Sequence, residues 1–334
     1  MVKLSQPNLF SFSALAVASV LAASVLAVSG CDSGGDDGQT TSISGRGTTS
    51  SATGVPNSPS VPPSPTITRV SPQAFGQALA ALETAVGPAF ADLGKADTPD
   101  KLSAAFEQAA TRTGTAKSDL ALVTPPEAAE AGTTALLDAL ADLGDDLKSL
   151  SSDASNAELC TAASGVPRLS NLPSVTAVRN AAGTLAAVDP AYKIGAFLPA
   201  AQAEPNRQGS DGSLGGGRRG GSGELTIKNE QGGDDALIRL TNGSAVVREV
   251  YVRGGSETTV DAIPDGTLTA FYTSGKDWDA GAKKFTRDCA FQKFDDTLDY
   301  RTTSTQYTTY ELTLYTVVGG NATTSDVPPD QFPS

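Results

Sequence analysis

The stretch QGSDGSLGGGRRGGSG at residues 208–223 separates two parts of the sequence that have different periodicities. Upstream of it, apolar residues recur at steps of three and four, which indicates amphipathic helices. Downstream, from Leu225 onward, apolar and polar residues alternate as in half-buried strands. The dividing stretch itself has the Gly/Ser composition of a flexible linker, which we assign to residues 206–223. The sequence therefore predicts a multidomain α plus β protein.

The upstream part contains three recognisable helix starts. Ser71-Pro72 and Thr98-Pro99 each combine an N-capping side chain with a proline at the first helical position. Thr124-Pro125-Pro126-Glu127 matches a capping box, with Thr followed three residues later by Glu. Since short loops favour antiparallel neighbours, we predict a helical bundle over residues 69–205. Its Leu, Phe and Val stripes are typical of core packing, with a ligand cavity inside the bundle as the alternative.

The downstream part contains about seven or eight short alternating segments separated by turn residues. This pattern predicts an all-β sandwich over residues 224–334. Within it, TTVDAIPDGTLTAFYTSG at 258–275 resembles the Pro/Gly turn of transthyretin-like and carboxypeptidase-regulatory-like sandwiches. Together with GKDWD at 275–279, FQKFDD at 291–296 and TLYTVVGGNA at 313–322, the segment also resembles a domain of uncharacterised exported bacterial lipoproteins. That resemblance implies an exported location and a sandwich fold, and it implies no activity.

The amino terminus predicts export and lipid attachment. Lys3 is followed by an uncharged apolar run at 14–28 and then by LAVSGC at 26–31, which matches the lipobox of bacterial lipoprotein signal peptides. We therefore predict a signal peptide at 1–30 and lipid on Cys31. The alternatives are an ordinary cleaved signal peptide or an uncleaved anchor, but an apolar run of about 15 residues is short for a spanning helix. The expected location is the extracytoplasmic face of the cell membrane.

Residues 31–68 read as a lipidated cysteine followed by a tether of Ser, Thr, Gly, Pro and Asp. This segment has too few large apolar side chains to offset the entropy cost of ordering the chain. We therefore expect this tether to be disordered. As a coil, it would span roughly 30 Å.

Composition excludes several classes of function. A formal net charge of −13 argues against nucleic-acid binding, since nothing here would release phosphate counterions. The absence of histidine removes Ser-His-Asp and Cys-His catalysis and every His-ligated metal site. We predict no catalytic residues and a non-catalytic binding or adhesion role, with a cell-wall glycan or envelope protein as partner. The alternatives are an exported carboxylate-based hydrolase and a structural subunit of an envelope complex.

One acidic region is a candidate ligand site. Asp277 and Asp279 flank the only tryptophan, Trp278, and Asp295 and Asp296 follow. Carboxylate oxygens suit Ca²⁺, and an indole flanked by acids suits a sugar. The alternatives are that the acids are solvated in loops and that Trp278 caps the core. Apart from Ca²⁺ at this candidate site, we expect no cofactor.

Two cysteines remain once Cys31 carries lipid. Cys160 and Cys289 form an even pair in an oxidising compartment, where a disulfide would join the helical part to the strands. The alternative is two separately buried thiols.

Overall fold

The computed structural model describes the backbone of residues 2–5 and residues 68–215, 220–229, 233–314 and 322–333. These residues all belong to one compact unit. Cys31, the apolar run of the signal peptide and the tether up to residue 67 lie outside the described residues. So do Arg218 and Arg219 of the predicted linker and residues 315–321.

The helical part begins where its capping residues predict. The side chain of Ser71 accepts a hydrogen bond from the amide of Ala74, and that of Thr98 accepts one from the amide of Lys101. Both helices then carry a proline at the start, as expected. The described α-helices are α1 Pro72–Leu93, α2 Pro99–Ala121, α3 Glu130–Ser155, α4 Ala162–Ser170 and α5 Pro173–Val188.

The predicted capping box at Thr124 is wrong. A single 3-10 turn, Glu127–Ala129, follows Pro126, and α3 begins only at Glu130 without a side-chain cap. Residues that precede proline avoid the helical conformation, so Pro125 and Pro126 delay the helix. The carbonyl of Thr124 instead accepts the amide of Val70 at 3.0 Å.

The predicted apolar stripes form the core of the helical part. Phe75, Leu79, Leu136, Leu143 and Leu147 are all fully buried, in a cluster to which all of α1, α2, α3 and α5 contribute. Burying each such side chain contributes about 1.5–3 kcal/mol before entropy is counted. Within the described residues, none of the helices combines the length and the apolar character needed to cross a membrane.

The strands form two sheets, which confirms the predicted α plus β class. One sheet has the order β1-β9-β3-β6 and the other has the order β10-β8-β7-β4-β5-β2. Strand β9 pairs in parallel with β1 and β3, and the other pairings are antiparallel. The strands are β1 Val2–Ser5, β2 Gly212–Ser213, β3 Gly223–Lys228, β4 Asp235–Asn242, β5 Ala245–Val252, β6 Glu257–Ile263, β7 Gly266–Asp279, β8 Lys284–Tyr300, β9 Thr309–Thr313 and β10 Thr324–Asp326.

Alternate residues of the six-stranded sheet contribute to two different buried hydrophobic clusters. Side chains such as Ile238 and Val250 share one buried cluster with Ile227 and Leu312 of the four-stranded sheet. The chain passes from one sheet to the other at the turn Pro264-Asp265-Gly266, where Gly266 has a φ of +143°. That value suits glycine because it has no Cβ to clash.

The opposite face of the six-stranded sheet carries a second cluster. Its members are Leu237, Tyr251, Trp278, Phe285, Cys289 and, from the helical part, Cys160. This face therefore contributes buried side chains at the junction between the helices and the sheet.

The described residues of the Gly-rich stretch are attached to this sheet. Gly212 pairs with Tyr251 of β5 and Ser213 pairs with Val250, and Gly223 already belongs to β3. Leu214 packs against the second cluster. Gly212 and Ser213 thus form an edge of the six-stranded sheet, whereas Gly223 belongs to the four-stranded sheet.

A disulfide joins the helical part to the sheet. The sulfur atoms of Cys160 and Cys289 lie 2.10 Å apart, with 6.3 Å between the Cα atoms. Backbone contacts support it: the amide of Cys160 donates to the carbonyl of Thr286 at 2.8 Å, and the Ser164 hydroxyl donates to the same carbonyl. Of the two alternatives for these cysteines, the structure contains the bridge.

This bridge predicts a specific alkylation pattern. In mature protein unfolded without reductant, Cys160 and Cys289 should gain no label, and after reduction they should gain one label each by mass spectrometry. Reduction should also lower the free energy of unfolding by roughly 4–5 kcal/mol, because the bridge closes a long loop. The double variant Cys160→Ser/Cys289→Ser is the control and should not respond to reductant. Two labels before reduction would contradict the bridge.

Candidate functional site

The sequence-predicted tryptophan site is part of a buried core. Trp278 belongs to β7 rather than to a loop, and it is 3% exposed. Its ring centroid lies 5.1 Å from that of Tyr251 and 5.0 Å from that of Phe285. A buried indole has no open face on which a sugar could stack. The structure therefore corrects the prediction of Trp278 as a ligand contact in favour of the core-packing alternative.

Asp277 is a buried carboxylate that binds Arg207. Its oxygens accept the Arg207 amide at 2.7 Å, the guanidinium at 2.7 and 3.0 Å, and the Thr286 hydroxyl at 2.6 Å. Burial alone would raise the pKa of Asp277, but the hydrogen bonds from Arg207 and Thr286 outweigh it and lower this pKa. The carboxylate thus holds residue 207 against the end of β7.

Asp279 binds the same guanidinium. It accepts Arg207 Nη1 at 3.1 Å and the amides of Gly281 and Ala282 at 2.9 and 3.0 Å. The amide of Ala282 is the largest cause of the lowered pKa of Asp279, and Arg207 adds to it. A cation at this pair would have to displace Arg207.

The structure does not bring the other two predicted calcium ligands to this pair. Asp295 and Asp296 lie in β8 near the register pair Thr297 and Thr269, roughly 25 Å along the hairpin from Asp277. Asp295 accepts the Ser325 hydroxyl at 2.6 Å, which lowers the pKa of its carboxyl. In the part of the chain that the structure describes, no cluster of three or more acids or cysteines could hold a metal ion.

A different site lies where α2 meets the six-stranded sheet. It is a cavity of about 240 Å³ whose walls come from four separate segments. These segments are the start of α2, the second face of the six-stranded sheet, the turn between β7 and β8, and the carboxyl-terminal residues. We call it the junction cavity; its lining is Asp97, Thr98, Lys101, Arg239, Thr273, Lys283, Lys284, Phe285, Phe291, Pro329, Asp330 and Phe332.

One carboxylate beside the junction cavity bridges two of its cations. Glu249 accepts Arg239 Nε at 2.9 Å and Lys283 Nζ at 2.5 Å. Arg239 and Glu249 are both more than nine-tenths buried, whereas Lys283 is 46% exposed. Pairing offsets the cost of burying these charges, and it leaves one positive charge in excess within the triad.

A second carboxylate repeats this arrangement at the start of α2. Asp97 accepts Lys101 Nζ at 2.7 Å and lies 3.5 Å from Lys284 Nζ. The hydrogen bond from Lys101 is the main cause of the lowered pKa of Asp97, and the charge of Lys284 adds to it. Even with Asp330 counted, cations outnumber acids around the junction cavity, in a chain whose net charge is −13.

The remaining walls combine three phenylalanine rings with Pro329 and the threonines Thr98 and Thr273. Phe332 packs against Phe291, with 5.5 Å between ring centroids, and the guanidinium of Arg239 lies 5.3 Å from the Phe332 centroid. Thr273 is 2% exposed, and its Oγ1 has no hydrogen-bond partner among the described residues. An unsatisfied buried hydroxyl is costly, so it marks a place where a ligand acceptor would be stabilised.

Sequence reasoning missed this cavity. Arg239 alternates with Ile238 and Leu240, so the pattern predicts a solvent-facing side chain. In the structure the carboxyl-terminal residues cover it, and the ring of Phe332 packs against its guanidinium. The Lys283-Lys284 pair after a turn was the only local signal.

Comparisons with known protein families, with curated proteins and with solved structures find no match to this chain.

The Asp277 contacts predict a pH-dependent loss of stability. Asp277→Asn should lower the free energy of unfolding at pH 7 by about 1–3 kcal/mol, because the buried partners lose a charged acceptor. The pKa is lowered in the folded state, so this contribution is present above the unfolded pKa of about 3.9 and is lost as pH falls through the folded pKa. Urea unfolding across pH should show the two proteins converging in acid.

The exposed residue Asp296 provides the control for this experiment. Asp296→Asn should change the free energy of unfolding by less than about 0.5 kcal/mol. Asn tolerates the positive φ of 54° at position 277, so backbone strain should not contribute. A deficit in Asp277→Asn that stayed constant from pH 7 to pH 2 would contradict the role given to the charge.

Proposed function

We propose that this protein is a lipid-anchored, extracytoplasmic and non-catalytic binding protein that takes a small molecule in the junction cavity. The observation that carries this proposal is the composition of the cavity: phenyl rings, a few charged groups and the unpartnered hydroxyl of Thr273. Ligand sites combine apolar walls with a small number of placed polar groups in this way.

Export and anchoring are supported by two separate features. The lipobox at 26–31 places Cys31 at the cleavage site, where lipid attachment would tether the protein to the membrane. The disulfide between Cys160 and Cys289 supports an oxidising compartment, because such bridges are rare in the cytosol. Cleavage before Cys31 would also remove β1, so in the mature protein β9 would pair with β3 alone.

We favour binding over the carboxylate-hydrolase alternative because of the charge state of the cavity. Glycoside cleavage by two carboxyl groups requires one protonated acid with a raised pKa. Asp97 at the cavity has a lowered pKa, since it binds Lys101 and Lys284. Its environment therefore suits the fixed charge of a binding site better than proton transfer. A cell-wall glycan or an envelope protein remains the alternative partner for the outer surface.

Anchoring is tested by changing the lipidated residue. Cys31→Ser should abolish palmitate labelling and shift the protein from the membrane fraction, because the thiol is the attachment point. Ser29→Ala keeps a small residue in the lipobox and should leave labelling and cleavage unchanged. A Cys31→Ser protein that is cleaved normally and labels like the wild type would contradict the proposal.

Small-molecule binding is tested on the full mature lipoprotein in detergent. A diverse small-molecule screen by thermal unfolding should find ligands that raise Tm, since binding to the folded state adds about 2.7 kcal/mol at 100 times Kd. Phe291→Ala should remove the response because it deletes part of the cavity wall. Tyr307→Ala, an exposed aromatic outside the cavity lining, should keep it. Hits that are unaffected by Phe291→Ala would contradict binding in the junction cavity.

A further inference from the structure

The geometry of the junction cavity points to a ligand class: we propose that it binds an aromatic carboxylate, a small planar ring that carries one anionic group. This inference rests on the proposed function, which makes the cavity a small-molecule site. It adds the charge, the size and the shape of the ligand. Three observations carry it: the excess of cations, the unpartnered hydroxyl, and the aromatic wall with its volume.

The cations provide a place for the anionic group. An ammonium has three N–H donors, and Lys283 directs one of them to Glu249. Lys284 donates to the carbonyl of Asp97 at 2.9 Å and lies near the carboxylate of the same residue. Because each carboxylate is shared by two cations, the charge at this end of the cavity is not neutralised. The amino-terminal end of α2, which begins at Pro99, adds its partial positive charge beside Thr98.

Thr273 provides a donor for a ligand oxygen. Its side chain lies on β7 within the cavity lining, and its Oγ1 is buried without a partner. A carboxylate oxygen that accepted this O–H would satisfy a hydroxyl that is otherwise desolvated. Such charge-assisted hydrogen bonds are about twice as strong as neutral ones. A buried, unpartnered hydroxyl in the lining distinguishes this cavity from a surface patch of lysines.

The rings and the volume select an organic anion rather than an inorganic one. Phe285, Phe291 and Phe332 present apolar surface that inorganic phosphate could not use. A cavity of roughly 150 Å³ is enough for benzene, whereas drug-sized ligands occupy about 300–1,000 Å³. The junction cavity, at about 240 Å³, lies between these values. A single ring with one carboxylate matches the size of the junction cavity, its aromatic wall and its cationic wall.

Calorimetric titration of the full mature lipoprotein in detergent tests this proposal, with empty micelles as the blank. The probes are benzoate, 4-hydroxybenzoate and phenylacetate, with benzamide as the uncharged isostere and inorganic phosphate as the ringless anion. We expect at least one of the three carboxylates to bind at least about tenfold more tightly than benzamide and phosphate.

Two variants link the affinity to the site. Lys283→Gln and Thr273→Val should each weaken carboxylate binding by about tenfold, since each removes one donor to the anion. Lys276→Gln is the matched control, because Lys276 lies on the same strand as Thr273, pairs with Asp288 at 2.8 Å and does not line the cavity. Thermal unfolding checks that all three variants remain folded.

The outcomes separate this inference from the proposed function. Benzamide binding as tightly as the carboxylates would overturn the anionic specificity, and phosphate binding as tightly would overturn the need for a ring. If no carboxylate binds while the screen finds another cavity ligand, the inference fails and the proposed function stands. If neither the probes nor the screen gives a ligand, both fail. Equal loss of binding in Lys276→Gln would also overturn the site assignment.

Discussion

The bridge between Cys160 and Cys289 is the interaction on which the rest of this structure depends. It attaches the segment before α4 to β8, and Thr286 reinforces the attachment by accepting hydrogen bonds from Cys160 and Ser164. The walls of the junction cavity come from both sides of this attachment. Beside the cavity, Lys284 also joins the two sides: it donates to the carbonyl of Asp97 at 2.9 Å and forms an ion pair with the Asp97 carboxylate, although exposed pairs contribute little.

Paired charges hold two positions on the six-stranded sheet. Asp277 with Arg207 and Glu249 with Arg239 each place a buried carboxylate against a guanidinium. Such pairs are weak evidence for stability, because desolvation offsets much of the attraction, but each is costly to leave half-made. We interpret them as constraints on position: Arg207 holds the chain that leaves the helical part, and Arg239 holds the carboxyl-terminal residues through Phe332 and the carbonyl of Pro333.

Local patterns in the sequence predicted local features of the structure, but they did not predict contacts between residues that are distant in the chain. The caps at Ser71 and Thr98 involve residues only three positions away, so their pattern is readable. The long hairpin of β7 and β8 was predicted as shorter strands, because register shifts after Thr269 and after Ser274 break the alternation. Asp277 looked like a loop residue because its partner, Arg207, is 70 positions away. The junction cavity joins segments from residue 97 to residue 332, which no local pattern can reveal.

Helix α2 also sets a distance between Val70 and the junction cavity. Its carboxyl-terminal end is followed by Thr124, whose carbonyl binds the amide of Val70, while Thr98 at its other end lines the cavity. The 23 residues of α2 correspond to about 34 Å. If Cys31 is the anchor, as we propose, this helix would be a rigid part of the distance between the lipid and the cavity, and the number of residues between Cys31 and the helical part would set the rest. A shorter segment would then bring the cavity closer to the lipid without changing any residue of the site, so the reach and the affinity that we propose would be independent of each other.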